Sequence, residues 1–374
     1  MLPAILAAST LCQPAAQPLA LTAAQERSID LYVEAERSRQ QIPGLTLGIY
    51  RHGRAVLLKG YGLANVEHNV PSTPDTVMQS GSVGKTFTAT LVMMLIERGK
   101  VRLDDSIRAH LIELPESWQG ITIANLLSHT SGLADYDGDE LTRPGGPFDI
   151  RQDLSEDELV RRVAELPLEF GAGERWSYRN ANYLVLGALI RRVTGAFYGD
   201  MLKREIFDRI GMTASRVISD EDIVPHRAAG YERREGKLYN QKWVSPTFNS
   251  TADGTLYLTV RDLEFWDRAL CEATVLKPET LRQMWKPAAV AGSAPAEGYG
   301  FGWFVRRSGS ELIVEHDGAW QGFTSYFVRY VGAGLSVAVL TNLDAEHSYP
   351  DTIGQFVAGV VEPSLASRTS KSGE

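Results

Sequence analysis

The sequence holds 374 residues, 44% of them hydrophobic and 22% charged, with a formal net charge of -8. A chain of this size buries a large core, in two domains or one large composite unit. Its acidic balance and lack of long like-charge runs argue against nucleic acid as a partner. The two cysteines, Cys12 and Cys271, are too few for a disulfide-built scaffold. None of the seven histidines forms an H-x-x-H or H-E-x-x-H pair, so neither a metal nor any other cofactor is expected.

The chain opens on an apolar run, Leu2–Leu11, followed by Pro/Ala/Gln-rich sequence around Ala16 and Ala20. This pattern resembles the core and cleavage zone of a secretory signal without its basic start. Residues 1–21 are therefore expected to be a leader, signal or disordered, and the protein to be exported to the periplasm or beyond. The run is too short to span a bilayer. Thr22 and Gln25 have capping-box spacing and predict a helix to about Arg39. Leu45–Tyr50 and Ala55–Gly60 predict a hairpin turning at residues 51–54. A helix is predicted from Ser82, with Phe87, Leu91, Met94 and Leu95 on one face and Gly99 as its stop. Ser155 caps another helix, Tyr183–Val193 reads as a third, and 135–148 is a Gly/Pro/Asp-rich loop. Thr259–Leu270 is helical, with Leu263, Trp266 and Leu270 on one side.

Beyond this helix the apolar pattern switches to period two, in Tyr299–Arg306, Leu312–His316, Phe323–Tyr330 and Leu335–Thr341, as antiparallel strands require. A last helix spans Pro350–Val361, and 363–374 is a flexible tail. With strands at both ends and helices between, the predicted fold class is α/β of the α+β kind. An antiparallel sheet flanked by helices comes from 22–75 and 245–362, and a mostly helical subdomain from 76–244. A site is expected in the cleft between them.

Ser82-Val83-Gly84-Lys85 carries the chemistry. A serine hydroxyl is a weak nucleophile until a neighbour takes its proton. A lysine one helical turn away does so once burial lowers its pKa enough to supply a neutral amine. The Ser82 N–H also lies at a helix N-terminus, where an anionic intermediate is favoured. Alone the motif says little, since about one or two S-x-x-K matches arise by chance in this length. A surface lysine one turn after a capping serine fits it equally.

Tyr178-Arg179-Asn180, the only Y-x-N here, and His316-Asp317-Gly318 follow in order. With these the chain resembles the serine β-lactamase and penicillin-binding-protein superfamily, in the branch of class C β-lactamases, D-alanyl-D-alanine carboxypeptidases, D-aminopeptidases and related esterases. Gly60–Asn65, Leu103–Ser106, Tyr299–Trp303 and above all Ile121–Leu133 support the resemblance, which covers about residues 25 to 345. It implies a β-lactamase/transpeptidase-like fold and acyl-enzyme formation on Ser82. It makes Lys85 and Tyr178 the proton-handling residues, the tyrosine through a phenol pKa well below 10. Asn180 would bind a substrate amide and His316 and Gly318 the substrate, with the N–H groups of Ser82 and Ala319 forming the oxyanion hole.

His316 stands where many β-lactamases have lysine. The H-x-G form resembles the peptidase and esterase members, and histidine is a weaker cation for a substrate carboxylate. Arg179 is expected to point away from Tyr178 and Asn180, and His129 and Ser131 to shape the helical lobe. Lys371-Ser372-Gly373 matches K-x-G only literally. The function expected is a serine hydrolase cleaving D-amino-acid peptides, amides or esters in the manner of a D-alanyl-D-alanine carboxypeptidase or esterase, its substrate a small molecule or short peptide, cell-wall peptide included. The alternatives are a β-lactamase and, from a different class, a non-catalytic binding protein on the same fold.

Overall fold

The computed structural model describes residues 20–290 and 297–368. Nearly all of the expected leader, the end of the tail and the Lys371–Gly373 match lie outside the described residues. In chain order the strands are β1 (Gly44–Arg51), β2 (Arg54–Asn65), β3 (Val70–Pro71), β4 (Met78–Gln79), β5 (Arg216–Val217), β6 (Tyr231–Arg234), β7 (Lys237–Asn240), β8 (Leu256–Leu258), β9 (Gly298–Tyr299), β10 (Phe304–Ser308), β11 (Glu311–Trp320), β12 (Phe323–Tyr330) and β13 (Leu335–Thr341). An eight-stranded antiparallel sheet runs β3-β2-β1-β13-β12-β11-β10-β9, so strands from both ends of the chain meet at the β1–β13 seam.

Both faces of this sheet are buried, and the alternation of side chains sorts them. On one face Leu45, Leu47, Ile49, Val337 and Val339 pack with Ile29 and Val33 of the Ala23–Arg39 helix and Ile353 and Val357 of the Pro350–Val361 helix. Tyr32 stacks on Phe356 and ties these two helices together. On the other face Tyr50, Ala338 and Leu340 join a larger core with Trp266 of the Val260–Glu272 helix and Phe87 of the Lys85–Glu97 helix. Thr22 closes the expected capping box with Gln25, and Thr259 caps the Val260–Glu272 helix.

Two details differ from the sequence reading. The strand expected over Tyr299–Arg306 is two short strands, because a turn closed by the Gly300 N–H on Trp303 O (2.8 Å) interrupts it. The stretch 76–244 also carries β4–β7, which at two to four residues are too short to show a period.

β11 positions the site. It pairs with β12 along its length but with β10 only over Glu311–Glu315, so among the described residues Asp317–Trp320 have an unpaired edge. The turn holding Ser82 lies against this segment. Gly318 has room for no side chain there: an added Cβ would come within 2.2 Å of Ser80 O and 2.8 Å of Ser82 N. Ser325, opposite Gly318 on β12, donates its hydroxyl to Ser80 O and pins the turn to the sheet.

Candidate active site

Ser82 does not open an α-helix as expected. It sits in a 3-10 turn, Gly81–Gly84, that runs directly into the Lys85–Glu97 helix. Gly81 takes a φ of +47°, and a Cβ on it would lie 2.3 Å from Ala319 N. That close approach needs glycine, and it sets the Ala319 amide beside the nucleophile's turn. In a 3-10 turn residues three apart are eclipsed, which keeps Ser82 and Lys85 on one side.

Lys85 is fully buried at the centre of the site. Its Nζ donates to Ser82 Oγ at 2.9 Å, to Asn180 Oδ1 at 2.7 Å and to the carbonyl of Asp253 at 2.5 Å. Burial is the largest influence on it and lowers its pKa from 10.5 to about 8, against the opposing pull of Asp253, Asp135 and Asp137. A cation forced into this position is therefore close to releasing its proton near neutral pH.

Asn180 opens the Asn180–Thr194 helix, and Asp135 caps that helix by accepting from the N–H groups of Asn180 (2.8 Å) and Ala181 (3.0 Å). The Asn180 side chain is held at both ends, Oδ1 by Lys85 and Nδ2 by Asp137 at 2.8 Å. Burial, then the like charge of Asp137, raises Asp135 to about 6. Asp253 is fixed by Tyr136, whose hydroxyl donates to Oδ2, and by Thr251 on Oδ1 at 2.5 Å.

Tyr178 lies between these groups and the aromatic residues of β9 and β10. Lys85 Nζ is 4.9 Å from its ring centroid, and its ring contacts those of Tyr299 and Phe304. Among the described residues its buried Oη has no partner of hydrogen-bonding geometry. Burial pushes its pKa well above 10, outweighing the favourable influence of the Ser82 hydroxyl. The expected depressed phenol is thus corrected: in this environment Tyr178 is a neutral phenol, able to donate a proton but not poised as a resting base. The Arg179 guanidinium reaches away from the Tyr178 ring, onto Glu169 at 2.7 Å and the backbone carbonyl of Tyr178 at 2.9 Å.

His316 also departs from the sequence reading. It is 1% exposed, its Nε2 meets Tyr299 Oη at 2.8 Å and its Nδ1 meets Asp317 O at 2.6 Å. Burial, then the nearby Lys85, drops its pKa to about 3. The imidazole is therefore neutral and turned into the protein, because alternation along β11 puts residues 316 and 318 on the inner side. It is no cation for a substrate carboxylate. Asp317, on the opposite side, is exposed and lines a neighbouring cavity.

The crevice at Ser82 holds about 80 Å³, lined by Gly81, Tyr136, Asp137, Asn180, Asp253, Ala319 and Trp320 among others. That suits a small acyl group and is well below the roughly 300 Å³ of a drug-sized site. Ala319 also borders a second cavity of about 540 Å³ that reaches Asp317, Tyr326 and Asp351 at the start of the last helix. Ser82, Lys85, Tyr178, Asn180, Gly318 and Ala319 thus converge, while His316 is buried behind them in the aromatic cluster, its ring 6.1 Å from that of Tyr178. Sequence reasoning missed Asp135, Asp137, Tyr136 and Asp253. The signals for them were a Gly/Pro/Asp-rich loop dense in carboxylates and an Asp-Gly pair at 253–254, both on connecting segments where functional groups concentrate.

A family model described as Beta-lactamase matches residues 29–361. Protein flp of Staphylococcus aureus (strain MRSA252) is 27% identical over 334 residues, covering 87% of this chain and 65% of that protein. Penicillin-binding protein 4* of Bacillus subtilis (strain 168) is 27% identical over 307 residues, covering 78% and 66%. The chain therefore spans about two thirds of the length of these relatives. Among solved structures, the octameric penicillin-binding protein homologue from Pyrococcus abyssi superposes with a TM-score of 0.78 at 26% identity, over 90% of this chain and 77% of that one. The D-amino acid amidase from Ochrobactrum anthropi SV3, complexed with L-phenylalanine amide, gives 0.75 at 25% identity, over 93% and 100%. The chain belongs to the β-lactamase family and has the β-lactamase/penicillin-binding-protein fold.

Proposed function

We propose that the protein hydrolyses D-amino-acid amides, short peptides or esters through an acyl-enzyme on Ser82. The observation that carries this reading is the 2.9 Å contact between Ser82 Oγ and a wholly buried Lys85 whose pKa is held near 8. Neutral Lys85 takes the Ser82 proton as Oγ attacks the carbonyl carbon. The oxyanion sits between the Ser82 and Ala319 amides, each such donor being worth about 10²–10³ in rate. Tyr178, as a phenol, protonates the leaving nitrogen or oxygen as its bond to carbon breaks, and the proton on Lys85 restores it. Water then attacks the acyl group, its proton passes to Lys85, and Ser82 leaves with a proton returned from the same site. Asn180 is left to steer the substrate amide.

The charges around the crevice favour substrates without a carboxylate. Asp137 and Asp253 line it, Asp317 lines the neighbouring cavity, and its cation, Lys85, is engaged by three acceptors. This supports amides, esters and free-amino peptides over carboxypeptidase substrates, and it agrees with the amidase among the similar structures. A β-lactamase reading draws on the family match, but β-lactams carry a carboxylate that finds no free cation among the described residues lining the crevice. The intact Ser82–Lys85 contact counts against a purely binding role. The test is a panel of D- and L-amino-acid amides, p-nitrophenyl acetate, a D-Ala-D-Ala peptide and nitrocefin. Turnover of amides and esters above the carboxylate-bearing compounds is expected; turnover confined to the latter overturns the substrate assignment.

A further inference from the structure

The most specific sequence segment, Ile121–Leu133, ends in a turn whose His129 is packed against Tyr178. The two rings lie 4.3 Å apart at 32°. His129 is fully buried and takes a φ of +57°, an unusual backbone conformation held by its surroundings. Its Nδ1 accepts from the backbone N–H of Arg179 at 3.2 Å and meets Asn182 Nδ2 at 3.1 Å. Since an amide N–H can only donate, Nδ1 is the unprotonated nitrogen, and the ring proton resides on Nε2. Asn182 is oriented for this in turn: its Oδ1 accepts from Ser131 Oγ at 2.5 Å. The carbonyl of His129 also takes the N–H of Ser177 at 2.9 Å. The residues on both sides of Tyr178 are therefore bound to one histidine, whose ring backs the phenol.

We propose that His129 is a positioning residue that fixes the ring of Tyr178 for proton transfer, as a neutral imidazole oriented by the Ser131–Asn182 pair. The inference rests on the role given to Tyr178 above. It explains why a fully buried imidazole takes an unusual backbone conformation beside the site, where an apolar residue would otherwise fill the core. A displaced phenol slows transfer steeply, since an error near 1 Å is worth up to about 10²-fold in rate.

His129→Asn tests this. Asparagine tolerates positive φ and keeps an acceptor for the Arg179 amide while removing the ring from Tyr178. Rates are read as kcat and KM on D-phenylalanine amide, whose leaving nitrogen needs the proton that Tyr178 supplies. The expected result is a fall in kcat of about 10- to 100-fold with KM little changed, and no further loss when the change is made in Tyr178→Phe. Should His129→Asn fold poorly in a thermal melt, Ser131→Ala, which leaves the ring in place but frees Asn182, is expected to slow the same step by roughly 3- to 10-fold. An equal loss with and without the tyrosine hydroxyl overturns the inference and leaves the Ser82–Lys85 mechanism standing. Wild-type rates in Tyr178→Phe remove the tyrosine from the mechanism, and the inference with it.

Discussion

Lys85 offers the prediction with the firmest physical footing. Only a neutral amine accepts the Ser82 proton, and the pKa near 8 leaves about one lysine in ten neutral at pH 7. An unperturbed lysine at 10.5 would leave roughly one in three thousand. Burial thus enlarges the competent population by about 300-fold, equivalent to roughly 3 kcal/mol. The profile of kcat/KM against pH on p-nitrophenyl acetate, an uncharged substrate, is expected to rise with unit slope to about pH 8 and then level off. His129 and His316, both held neutral by burial, add no limb between pH 7 and 8. Lys85→Arg keeps the charge but cannot lose its proton, so its rate is expected to fall by about 10³-fold or more. A wild-type profile flat from pH 6 to 9, or an active Lys85→Arg enzyme, refutes the role of Lys85 as base.

The same buried lysine links stability to pH. Between about pH 8 and 10.5 the unfolded chain holds a proton on Lys85 that the folded protein has released, so stability rises with pH through that window. Relative to Lys85→Met, urea unfolding should show a gain of up to about 3 kcal/mol on going from pH 7.5 to 10; an unchanged difference contradicts it. Gly318→Ala places a methyl group 2.2 Å from Ser80 O, and the expected outcome is about 10²-fold lower kcat with the far-UV circular dichroism retained. Asp135→Ala strips both acceptors from the start of the Asn180–Thr194 helix, and a loss of about 1–2 kcal/mol in denaturant unfolding is expected.

How much of this was legible in the sequence depended on the length of each signal. The Phe323–Tyr330 and Leu335–Thr341 strands and the Pro350–Val361 helix match the sequence reading residue for residue, because long runs of alternating or helical periodicity meet a core on the side they imply. Ser82, Lys85 and Asn180 were found by motif, and their convergence follows from β11 lying against the Gly81–Gly84 turn. Two- to four-residue strands such as β4–β7 carry too few residues for a period. The protonation states were out of reach altogether. His316 and Tyr178 read from sequence as a cation and a base, and burial makes them neutral, a property of packing rather than residue type. Asp253 reaches Lys85 through its backbone carbonyl, which no side-chain pattern encodes.

A covalent bond between substrate and one serine is the claim most directly open to measurement. The enzyme is mixed with an activated D-amino-acid ester, quenched in acid within its first turnovers and examined by intact mass and peptide mapping. The expected result is one added acyl group, located on the peptide containing Ser82 and missing from Ser82→Ala, which also loses turnover. An adduct on another residue, or hydrolysis undiminished in Ser82→Ala, contradicts the mechanism.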